Sequence, residues 1–194
     1  MEESRGVMHE ITPLMGKDSL YIAERRKKEF TYPIHNHEVF ELNFVEHAAG
    51  VRRVVGDSSE VIGEYDLAII TGPDLEHVWE QNTCTSDDIR EITVHFYLDL
   101  SEDGFLARNP FFSLRKMLLE ARKGLAFSLT DIMRVYNLLD TLSSVKEGFY
   151  AVTQFLTILY ELSKSTEMHT LASSSYAKVA VESDSRRVLK VKNY

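Results

Sequence analysis

The feature that most constrains this chain is a change of hydrophobic period near Asn109. Before it, apolar residues come in short runs broken by turn residues. After it, they recur at helical spacing. Leu20–Phe30, Val39–Val45, Val51–Val55, Leu67–Thr71 and Ile89–Leu98 read as strands. In the last run, Ile92, Val94, Phe96 and Leu98 alternate with Glu91, Thr93, His95 and Tyr97. A period of two gives the strand one apolar and one mixed face. Turn signals separate the runs at Ala48-Ala49-Gly50, Gly56-Asp57-Ser58-Ser59 and Thr71-Gly72-Pro73-Asp74. Short strands so closely spaced predict an antiparallel β-barrel or sandwich. Beyond the switch, Asn109-Pro110 opens a helix that Gly124 ends. Ser128 with Asp131 caps a second helix, and Gly148 separates it from a third. The expected fold is mainly β with C-terminal helices.

The 44% hydrophobic content supplies a core, and the net charge of −8 makes the chain a poor partner for nucleic-acid phosphates. A lone cysteine, Cys84, rules out an intramolecular disulfide and suits a reducing cytoplasm. The opening Met-Glu-Glu-Ser-Arg-Gly lacks the apolar core of a signal peptide, and no apolar run predicts a membrane helix. His169–Ser185 is serine-rich and irregular, which reads as a linker.

The stretch His35-Asn36-His37-Glu38-Val39-Phe40-Glu41 holds the most chemistry. His35, His37 and Glu41 share parity, so an extended backbone would send all three to one face. Pro33 puts a kink or an edge just before them. Two imidazoles and a carboxylate suit a divalent metal, with His77 as the fourth ligand from another strand. Zinc, nickel, iron and manganese all accept such donors. The alternative is an empty polar interior in which the same groups hydrogen-bond an effector or one another. Trp79 reads either as a core aromatic or as a wall of a ligand pocket. No nucleophile elbow, phosphate loop or cysteine cluster marks a catalytic site, so no catalytic residue is assigned.

The runs Tyr32–His37 and Phe40–Val45 with Gly50 resemble the first cupin motif, and Gly63–Trp79 is similar to the second. The second departs from the pattern in its longer spacings and in having Gly72-Pro73 where the motif has Pro-x-Gly. Together with Arg52–Asp57 and the block around Gly124–Ser128, they resemble the sensing domain of AraC-type transcription regulators. Arg187-Val188, Val191 and Tyr194 resemble the start of that family's helix-turn-helix DNA-binding domain. The resemblance implies a cupin-type barrel over residues 1–108 and a helical dimerisation segment over 109–168. It also implies a linker and the opening of a DNA-binding domain over 169–194, with the rest of that domain lying outside this chain. The expected partners are a small-molecule effector, a sugar being one class, and a second copy joined through Ser128–Ser143 and Phe149–Ser163. DNA would be bound only through the further domain. His35, His37, Glu41, His77 and Trp79 would bind the effector. The competing expectation is a metal-dependent cupin oxygenase or isomerase using the same four ligands.

Overall fold

The structure, a computed structural model, describes residues 6–14, 16–145, 148–174 and 176. The described residues are mainly β with three α-helices. The strands are β1 (Met8–His9), β2 (Leu20–Lys27), β3 (His35–Asn36), β4 (Phe40–Glu46), β5 (Arg52–Val55) and β6 (Ser58–Val61). They continue with β7 (Tyr65–Ile70), β8 (His77–Glu80), β9 (Ile89–Phe96), β10 (Leu125–Ala126) and β11 (His169–Thr170). The helices are α1 (Phe112–Glu120), α2 (Leu129–Leu142) and α3 (Gly148–Leu162). One sheet has the order β1-β3-β8-β5-β6 and the other β11-β10-β7-β4-β9-β2. Neither closes on itself, so of the barrel or sandwich expected, the two packed sheets match the sandwich. Pairing is antiparallel except at β1–β3, which is parallel.

The centre of the six-stranded sheet is covered on both faces, which is why β4 and β9 are buried along nearly their whole length. Leu42, Phe44, Ile92, Val94 and Phe96 face the helices, meeting Leu118, Val135, Leu139, Phe155 and Leu159 in one core. Each large side chain so buried contributes roughly 1.5–3 kcal/mol. The alternate residues face the second sheet. Val45, Ile70, Trp79 and Ile89 fill part of that space, and polar residues fill the rest. The buried sides of α2 and α3, in the segments expected to join a second copy, are therefore used within the chain. Leu129 and Met133 of α2, and Phe149, Tyr150 and Tyr160 of α3, stay exposed.

Several local signals act as expected. The Asp131 amide donates to Ser128 Oγ at 3.2 Å, and that hydroxyl donates to Asp131 Oδ2 at 2.9 Å. Others differ. Asn109-Pro110 begins a single 3₁₀ turn, and α1 starts three residues later without a side-chain cap. Ser58 and Ser59 belong to β6, because the β5–β6 hairpin needs only Gly56 and Asp57 to turn, with Gly56 at φ 57°. The supposed linker begins as sheet: β11 pairs with β10, and Leu171 and Ala172 are buried behind it. The basic end at Arg187–Tyr194 lies outside the described residues. Among the described residues, no helix is long and apolar enough to cross a membrane.

The Gly72-Pro73 turn docks directly on the helical layer. The Thr71 amide donates to Ala121 O at 3.0 Å and Thr71 Oγ1 to Leu118 O at 2.7 Å. A Cβ on Gly72 would meet Arg122 O at 2.3 Å. Gly72→Ala is expected to cost about 1–3 kcal/mol through backbone displacement. Chemical denaturation checks this, and an unchanged midpoint would contradict it.

Candidate metal centre

The two sheets bring their polar residues together at one place. His35 on β3 stands opposite His77 on β8 in one sheet. Glu41 on β4 stands opposite His95 on β9 in the other. His37 lies in the short crossing between β3 and β4. The shared parity of His35, His37 and Glu41 is therefore not what unites them, because the chain changes sheets between His37 and Glu41. Their convergence is a product of the sandwich.

The four expected ligands offer donor atoms that all lie within 4.8 Å of one another. All are buried, His77 completely and His37 and Glu41 to 2% exposure. Glu41 Oε2 is 3.0 Å from His37 Nε2 and 3.8 Å from His77 Nε2. Donors bound to one tetrahedral zinc at about 2.0–2.1 Å stand ~3.3 Å apart, which these two separations bracket.

The histidines are also held in the tautomer a metal requires. His35 Nδ1 lies 2.9 Å from Pro33 O, His37 Nδ1 2.9 Å from Val39 O and His77 Nδ1 2.8 Å from Leu75 O. A carbonyl only accepts, so each Nδ1 carries a proton and Nε2 is the nitrogen each ring can offer a metal in its neutral form. Among the described residues, His77 Nε2 is a buried atom with no hydrogen-bond partner. Left so, it costs roughly 1–3 kcal/mol. A divalent cation would satisfy it, and the donor set fits one.

Charge follows the same geometry. Burial, reinforced by the neighbouring His77 imidazole, pushes the His35 imidazole down to about 4, so it is neutral near pH 7. Burial also works against protonation of His37, but the hydrogen bond and charge of Glu41 outweigh it and raise its pKa. Glu41 is pushed up by burial, yet its hydrogen bonds with His37 and His95 and the nearby His77 imidazole hold it well below the usual carboxylate range. With Nδ1–H given to Val39, His37 needs a second proton or a cation between Nε2 and Glu41. An ion would displace that proton. Apparent zinc affinity is thus expected to rise with pH by about tenfold per unit until pH passes the raised His37 pKa. In the ion-free protein the sign reverses: the His37 proton stabilises the fold at low pH, and its contribution is lost as pH rises through that pKa. Zinc competition titrations between about pH 6 and pH 8 check the slope.

The cluster floors a cavity of about 360 Å³. Its lining includes His35, Glu41 and His95, with Trp79 on the wall. Trp79 is both core and wall, since its buried ring donates Nε1–H to Asp66 Oδ2 at 3.1 Å. Among the described residues, Asn43 Oδ1 and His95 Nδ1 are buried without partners beside the cluster. Lys27 and Glu91 pair at 2.7 Å within the same lining. A hollow of about 420 Å³ between His47, Glu64 and Asp88 is shallow, exposed and remote from these groups. Sequence reasoning missed His95 and Glu10, whose carboxylate lies 3.5 Å from His35 Nε2. The mixed face Glu91-Thr93-His95 was the available signal for His95. Nothing local marked Glu10.

No family model and no curated protein matches this sequence. Among solved structures, it is similar to ToxT from Vibrio cholerae at 12% identity and TM-score 0.42, over 76% of this chain and 57% of that one. The apo K231A form from strain SCE256 is 15% identical at TM-score 0.46, over 75% and 54%. ToxT with a bound unsaturated fatty acid is 14% identical at TM-score 0.42, over 76% and 54%. The chain thus spans little more than half the length of these structures. Likeness this distant carries no argument about the site.

Proposed function

We propose that this chain is the effector-sensing and dimerisation part of an AraC-type transcription regulator, with a divalent metal on His35, His37, Glu41 and His77 at the floor of its effector cavity. The observation that carries this reading is the double duty of β4 and β9. One face of each lines the cavity through Glu41, Asn43, Thr93 and His95. The other face holds the helices through Leu42, Phe44, Ile92 and Val94. A ligand that shifts these strands necessarily shifts the helices, and such a shift regulates only if its affinity differs between two arrangements. A bound ion would supply a Lewis-acidic anchor for hydroxyl or carboxylate oxygens. The polar lining suits a small hydroxylated or acidic ligand, such as a sugar. The fatty acid bound in one ToxT structure would set an aliphatic chain against Asn43, Glu91 and Thr93. A second copy would join through the exposed side chains of α2 and α3, and DNA through a domain beyond Tyr194.

The test is a thermal-shift screen of zinc- or manganese-loaded protein against sugars, hydroxy acids and fatty acids. A ligand at a hundred times its dissociation constant adds about 2.7 kcal/mol. That gain should vanish in His35→Ala/His77→Ala. Stabilisation by fatty acids alone, undiminished in the double variant, would reject the reading.

A metal-dependent enzyme is the second reading. It is favoured by His95, whose Nε2 lies 3.0 Å from Glu41 and whose Nδ1 is unpartnered, a group able to move a proton at the site. Conversion of the stabilising ligand over time would establish the enzyme. A gene that continues past Tyr194 into two helix-turn-helix units would establish the regulator.

A further inference from the structure

We propose that Glu10 is a fifth, detachable ligand of the ion, so that metal binding fastens the N-terminal strand across the cavity; this rests on the metal site proposed above. β1 is a two-residue strand at the edge of its sheet, in parallel register with β3: Met8 pairs with His35 and His9 with Asn36. It is held by few bonds. The Met8 amide donates to Ile34 O at 3.1 Å and the Glu10 amide to Asn36 O at 2.8 Å. His9 Nδ1 meets Asn36 Oδ1 at 2.9 Å. An isolated strand contact this short is marginal by itself.

This pairing delivers Glu10 to the metal-bearing strand. Its carboxylate lines the cavity, 3.5 Å from His35 Nε2. Glu10, His37 and His95 form a second group of converging donors beside the first. The two groups cannot both be filled. His37 belongs to both, and with Nδ1 committed to Val39 it has one nitrogen left, which serves one ion. Glu10 therefore approaches the same ion from the open side, where its side chain is 19% exposed and that of Glu41 only 3%. Charge favours a second carboxylate as well. A divalent ion held by three neutral imidazoles and Glu41 keeps one net positive charge in a buried place, and such a charge is costly unless paired. Glu10 neutralises it.

The two carboxylates then differ in role. Glu41 is built into the sheet beneath the site. Glu10 rides on a strand that can leave, so a ligand carrying its own carboxylate or hydroxyl can take its place on the ion and release the strap.

The experiment is a zinc titration of the wild type, Glu10→Gln and Glu29→Gln, with hydrogen exchange of the Met8 and Glu10 amides read with and without zinc. Glu29 also lines the cavity and controls for charge acting through space. Zinc should slow exchange of both amides at least about tenfold in the wild type and in Glu29→Gln, and not in Glu10→Gln. Glu10→Gln should weaken zinc binding at least about tenfold, within the range seen when groups around a metal site are lost. Equal zinc affinity in all three with unchanged exchange overturns the fifth ligand and leaves the four-residue site standing. Equal weakening in Glu10→Gln and Glu29→Gln overturns ligation in favour of a general field. A wild type that binds no zinc overturns both the strap and the site beneath it.

Discussion

Replacing His77 with alanine is expected to lower zinc affinity at least about 100-fold, the upper range for losing a partner that merely supports a ligand. His77 is fully buried, its Nδ1–H is fixed by Leu75 O, and its Nε2 has no hydrogen-bond partner among the described residues. The wild type should take up one equivalent of zinc. At a hundredfold excess over the dissociation constant, zinc should stabilise the fold by about 2.7 kcal/mol. In a chain of this size that is a rise of roughly 5–10 °C in Tm. Elemental analysis of untagged protein and calorimetry with and without zinc check both. Removing His77 also removes the cost of its unpartnered nitrogen, so ion-free His77→Ala should lose less stability than an ordinary buried truncation. Wild-type protein holding less than about a tenth of an equivalent, with no uptake of added zinc or manganese, would remove the site, because three or four converging protein ligands ordinarily bind such ions well.

Arg90→Leu is expected to destabilise the fold by about 3–5 kcal/mol, the usual cost of leaving a buried charge without its partner. Arg90 extends from β9 into the layer between sheet and helices. It donates to Glu46 Oε1 at 3.0 Å on β4, to Glu24 Oε1 at 2.6 Å on β2 and to Asp140 Oδ1 at 2.7 Å on α2. Glu24 and Asp140 reach solvent, but the Glu46 side chain is only 4% exposed. Without Arg90 it keeps the Tyr136 hydroxyl, 2.8 Å away, as its hydrogen-bond donor. A second change, Glu46→Leu, removes the stranded carboxylate and should recover most of the loss, since a well-packed apolar pair often matches a buried ion pair. Denaturant unfolding of the two single variants and the double variant closes the cycle. A loss below about 1 kcal/mol for Arg90→Leu would mean the network is weak. A double variant no more stable than Arg90→Leu would assign the loss to packing.

The division of the chain into strands and helices at Asn109 was legible because periodicity is local. The same holds for the Ser128 cap, which needs only a residue three positions on. The cluster was legible in part. His35, His37, Glu41 and His77 are ligand types at suggestive spacing, but parity suggested one face of one strand. The structure places His35 and His77 in one sheet and Glu41 in the other. His95 looked like an alternating polar residue, and Glu10 like part of an unremarkable terminus. Each acquires a place only when β9 pairs with β4 and β1 with β3. The apolar stripes of α2 and α3 were evident, yet whether they met the sheet or another copy was not. Alternation along β4 and β9 could mark two faces, one apolar and one polar, but not that both are buried. What the sequence by itself determined was therefore the elements, the apolar faces and the kinds of donor. The tertiary structure alone decided which sheet each donor sits in, what the helices cover and where an unpaired nitrogen points. Spacing along the chain sets local conformation, whereas the distance between residues far apart in sequence is set by how strands pair and sheets stack.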